Sequence, residues 1–171
     1  MKYLKHLTKQ NLFFVLAASC LVYSLSSCKQ TAISNNELTT GDKNSVSNML
    51  KVYQDAWLKG DSSTILSLFD DSDVLMPNGM EPVIGKKAMI GFWWPGDSSK
   101  TTIDNYNIKV KEVNGGGNWA YAMEEGILMW NYTKGYTMFS KKQRSFEISV
   151  FHKIINQWKI IRRIWTDIEI K

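Results

Sequence analysis

The sequence predicts an α+β domain in which helices come first and an antiparallel sheet follows. Two observations carry this: apolar residues recur at helical spacing as far as Trp94, and from Thr101 onward the period changes to two. A third sets the limits of the domain, because the residues ahead of it read as an export signal and a tether.

Lys2, Lys5 and Lys9 form a basic start, and Leu12 to Leu25 is a mostly apolar run of 14 residues. A membrane span needs about 20, so a cleaved signal is expected instead. Leu25-Ser26-Ser27-Cys28 resembles the bacterial lipobox, which implies cleavage before Cys28 and lipid on that cysteine. The expected organisation is a signal peptide over 1–27, a lipidated cysteine and polar, turn-rich tether over 28–43, and one domain over 44–171. Lys29 stands where many inner-membrane lipoproteins carry aspartate, which favours the outer membrane of a bacterial envelope.

Removing 27 of 171 residues leaves 144, enough for one core. The removed segment holds three lysines and no acid, so the net charge falls from +5 to +2. That small excess argues against a nucleic-acid partner. Cys20 leaves with the signal and Cys28 is assigned to lipid, which excludes thiol chemistry in the domain. His6 leaves too, so His152 is the sole histidine, and no metal-ligand spacing or phosphate loop appears. No cofactor or metal is expected.

Val46, Met49, Leu50, Tyr53 and Trp57 lie on one helical face that Gly60 stops. Asp61 is placed to cap a short second helix carrying Ile65, Leu66, Leu68 and Phe69. Val74-Leu75-Met76 reads as a strand, Pro77-Asn78-Gly79 as a turn, and Val83-Ile84 as its partner. Lys86 to Trp94 suits a third helix ended by Pro95-Gly96. Tyr106, Ile108 and Val110 then alternate with polar residues up to Gly115-Gly116-Gly117. Further strands are expected over Trp119–Trp130, Arg144–Ile155 and Trp158–Ile168, the last two forming a hairpin through Asn156-Gln157.

The order of Tyr53-x3-Trp57-x2-Gly60-Asp61, Leu68-Phe69-x-Asp71, Met76-Pro77, Glu81-Pro82-Val83-Ile84-Gly85, Ile90-x-Phe92-Trp93 and the closing Phe151-x6-Trp158-Lys159-Ile160-Ile161-x3-Trp165 resembles SnoaL-like and ketosteroid-isomerase-like domains of the nuclear-transport-factor-2-like superfamily. The resemblance implies a cone: a curved, mainly antiparallel sheet wrapped around three N-terminal helices, with a pocket at its open end. It also implies a homodimer through the sheet's outer face. Carried over residue by residue, the isomerase's helix tyrosine falls on Tyr53, but its base falls on Met76 and its oxyanion acid near Val150. Neither can ionise, so that mechanism lacks its proton acceptor.

Other candidates for catalysis are Glu124, His152 and Asp167. Alternation puts Ala120, Ala122 and Glu124 on one strand face, and Glu124 is expected either to reach the pocket or to pair with Arg144, Arg162 or Arg163. His152 shares a face with Phe146, Ile148 and Val150, and Asp167 falls at the sheet's end. The expected pocket wall is Tyr53, Trp57, Met76, Trp93, Tyr106, Glu124, Val150 and Trp165. Binding of a small, largely apolar ligand ranks above catalysis. The alternatives are an isomerase, hydratase, cyclase or hydrolase using Glu124 or His152 as base, or an interaction module whose cone is filled by tryptophan.

Overall fold

The computed structural model describes residues 36–171, and Cys28 and the signal segment lie outside them. Helix α1 (Thr40–Lys59) starts where the Thr39 hydroxyl accepts a hydrogen bond from the Asp42 amide. It ends at Gly60, whose φ of 67° closes the last turn in the left-handed region that glycine tolerates. The short helix α2 (Ser62–Ser67) is capped by Asp61, which accepts from the Thr64 amide at 3.0 Å. Strands β1 (Val74–Met76) and β2 (Val83–Ile84) pair antiparallel and lead into helix α3 (Gly85–Trp93).

Four long strands follow: β3 (Lys100–Gly116), β4 (Trp119–Lys134), β5 (Thr137–Ile154) and β6 (Gln157–Glu169). They form one sheet in the order β2-β1-β6-β5-β4-β3, antiparallel throughout except for the parallel pair β1 and β6. Helix α1 packs on the inner face of this sheet. Val46, Leu50, Tyr53 and Ala56 on the helix bury themselves against strand residues that include Ala120, Ala122, Phe151 and Ile160. The small side chains of Ala120 and Ala122 let the helix approach closely.

Three bulges set which residues face inward. Register shifts fall at Asp104 and Lys111 in β3 and at Ile161 in β6. An extra residue reverses the alternation of the strand that carries it. In β6 the buried row therefore passes from Trp158 and Ile160 to Arg163, with Trp165 and Asp167 following on the same side.

The structure corrects two boundaries. The domain begins before residue 44: Leu38 is buried, Glu37 bridges Gly116, and α1 already runs from Thr40. The strands expected to end at Trp130 and begin at Arg144 are the near parts of one longer hairpin that turns at Gly135. Its outer arm, Lys134 to Ser140, is exposed on both faces, so no burial alternation marks it in the sequence.

Candidate functional site

Toward the C-terminal end of α1 the helix and sheet diverge around a cavity of about 820 Å³. Its aromatic lining is built from three directions. Helix α1 contributes Tyr53 and Trp57, the end of α3 contributes Phe92, Trp93 and Trp94, and the strands contribute Tyr106, Trp130 and Trp165. Trp57 lies edge to face with Trp93 at 5.3 Å and stacks on Trp94 at 5.5 Å, so the tryptophans consolidate one wall and leave the space open.

A buried ionic cluster closes the floor. Arg163, 2% exposed, donates to Glu124 Oε2 at 2.8 Å, to the Ser149 hydroxyl at 2.5 Å and to Glu147. Its guanidinium also lies over the Tyr53 ring, 4.8 Å from the centroid. The Ser145 hydroxyl donates to the other Glu147 oxygen at 2.5 Å. Gly126 stands across from Ser145 in the β4–β5 register, and a Cβ there would come within 2.4 Å of the Ser145 hydroxyl oxygen and 2.8 Å of Glu147 Oε1. The missing side chain makes room for the cluster. Glu124 Oε1 has no hydrogen-bond partner among the described residues.

The electrostatics follow from burial. Burial pushes the Tyr53 and Tyr106 phenols above their ordinary pKa, so both remain protonated at neutral pH. Burial works against the Arg163 charge, but the surrounding acidic groups, Glu124 first among them, together more than offset it, and the group stays firmly cationic. Asp167 stands across from Ser145 on β6, and its carboxyl is raised by burial.

The structure brings together Tyr53, Trp57, Trp93, Tyr106, Trp165 and Asp167 around the cavity. The other expected residues lie elsewhere. Glu124 faces inward but pairs with Arg163 beneath the floor, one of the two fates its position allows. Met76 lines a second hollow of about 800 Å³ that Glu124 also borders and that shares Glu147 and Trp165 with the cavity, its outer side formed by exposed Met123, Phe146, Ile148 and Ile164. Val150 and His152 are displaced to the outer side, because the inward row of β5 is Ser145, Glu147, Ser149 and Phe151. His152 stacks on Trp119 at 4.3 Å, a packing role remote from the cavity.

Sequence reasoning missed Glu147, Ser145 and Arg163 as site residues. The apolar row Phe146, Ile148, Val150 imitates a core face, whereas the polar row is the one buried. Phe151, which has the parity of Glu147 and Ser149, was the available signal.

No family model matches the chain, and no curated protein matches it in sequence. Solved structures do match in fold. A ketosteroid isomerase-like protein from Erwinia carotovora atroseptica superposes with a TM-score of 0.62 at 17% identity, covering 76% of this chain and 98% of its own. A conserved protein from Planctomyces limnophilus gives 0.64 at 18%, covering 77% and 100%. A putative Ca/calmodulin-dependent kinase II association domain from Exiguobacterium sibiricum gives 0.57 at 12%, covering 78% and 98%. The domain has the nuclear-transport-factor-2-like, cystatin-like fold.

Proposed function

We propose that this domain binds a small, largely apolar ligand in the aromatic cavity. The observation that carries the reading is the open space of about 820 Å³ beside Trp57, Trp93 and Trp94, since a cone filled by tryptophan would have left no room. The buried cluster at the floor supplies a few fixed polar groups for orientation. A neutral fluorescent probe, N-phenyl-1-naphthylamine, tests this. Saturable emission enhancement at one probe per chain is expected, and an Ile103→Trp substitution in the lining should abolish it. Unsaturable binding, or binding indifferent to that substitution, sinks the reading.

The proposal places the domain in a bacterial envelope, favouring the outer membrane, held through lipid on Cys28 as the Leu-Ser-Ser-Cys motif implies. Membrane fractionation of a Cys28→Ala variant decides this, because continued membrane retention would refute lipid anchoring. Exposed Met123, Phe146, Ile148 and Ile164 on the outer face support a homodimer. Light scattering that finds only monomer at micromolar concentration would refute that part.

A further inference from the structure

The buried part of the cavity lining leaves one carboxyl without a basic partner. Glu147 and Asp167 are the two carboxyl groups of the lining, and Arg163, its one buried basic group, is paired with Glu147 and with Glu124 beneath the floor. Arg163 is already engaged by both glutamates. Among the described residues no basic side chain comes within ion-pair distance of Asp167, although this residue is half-buried on the cavity wall two positions beyond Trp165. The remaining basic residues of the lining, Lys59 and Lys100, are exposed at the mouth, where water and salt screen them over about 10 Å.

We propose that the ligand is an organic cation, an ammonium group on an apolar body, seated between Asp167 and the tryptophan walls. This rests on the small-molecule reading above and names the ligand class of the same site. Each alternative class leaves a cost at the site. An anion would need a free cation inside, and the interior guanidinium is satisfied by two carboxylates. A neutral ligand would drive water from Asp167 without replacing its charge partner. A cation supplies that partner and lies among the indoles of Trp57, Trp93, Trp94 and Trp165, rings of the kind that attract cations as Tyr53 does Arg163. The elevated pKa of Asp167 agrees with a carboxyl that lacks a counter-charge in the empty cavity.

Phenyltrimethylammonium and its neutral isostere tert-butylbenzene, titrated against the intact domain by tryptophan fluorescence, separate the outcomes. The cation should bind at least about tenfold more tightly, which corresponds to roughly 1.4 kcal/mol. In Asp167→Asn the ratio should fall towards one while tert-butylbenzene affinity is kept. Equal or tighter binding of the neutral compound, or an unchanged ratio in Asp167→Asn, overturns the proposal and leaves the small-molecule reading in place. Loss of both compounds in Asp167→Asn assigns that residue a structural role and also overturns it. Failure of both compounds in the unaltered protein overturns the cation, and failure of the naphthylamine probe as well overturns the underlying reading.

Discussion

Helix α1 covers two kinds of sheet. Under its first half, Val46 and Leu50 meet a face of Ala120, Ala122, Phe151 and Ile160, all buried and apolar. Under its second half the same strands present Glu124, Gly126, Ser145, Glu147, Arg163 and Asp167, and the helix answers with Tyr53 and Trp57. One end is packed by shape, and the other is held open by charge and aromatic rings. The inner rows of β4, β5 and β6 thus change chemistry partway along each strand, at the level where the cavity opens.

Substitutions at the two ends should therefore fail in different ways. The largest effect is expected for Arg163→Met, which leaves Glu124 and Glu147 buried without their cation and should lower stability by about 3–5 kcal/mol in denaturant unfolding. A loss under 1 kcal/mol would mean that water reaches the cluster and that the open end is not held by this pairing. At the closed end, Ala122→Leu forces extra volume beneath α1. It should cost about 1–3 kcal/mol while leaving probe affinity in the cavity within twofold. A matching loss of affinity would show the two ends to be mechanically coupled.

The smallest effect concerns acid. Lys153 and Thr39 hold the Asp42 carboxyl down to about 2, fastening the start of α1 to β5. A carboxyl with a lowered folded pKa stabilises above its unfolded value, about 3.9, and loses that contribution as pH falls towards 2. Asp42→Asn should be less stable than the unaltered protein at pH 6, and the gap should narrow by pH 2. A gap constant with pH would locate the stabilisation in the helix cap and not in the ion pair.

The helices were more legible in the sequence than the sheet. Helical spacing from Val46 to Trp57, the Asp61 cap and the Gly60 stop are local signals, and each reappears in the structure at its expected place. The aromatic side of the cavity was legible for a related reason, since Tyr53, Trp57 and Trp93 sit on helix faces whose direction periodicity fixes. The polar side was not. Bulges at Lys111 and Ile161 reverse alternation without leaving a mark in composition, and on β5 hydrophobicity points the wrong way, with Phe146 and Ile148 exposed and Glu147 and Ser149 buried. On β5 the rule that apolar residues face inward holds at Phe151, under the helix, and inverts at Glu147 and Ser145, where the strand reaches the cavity.

The bridge between Glu37 and Gly116 also fixes where the first described residues enter the domain. It lies by the first turn of α1, whereas Lys59 and Gly60 at the other end of that helix border the cavity. Twenty helical residues rising about 1.5 Å each put the two ends roughly 30 Å apart. The described chain therefore enters at the base of the vessel, and the opening lies at the far end of α1 from that entry.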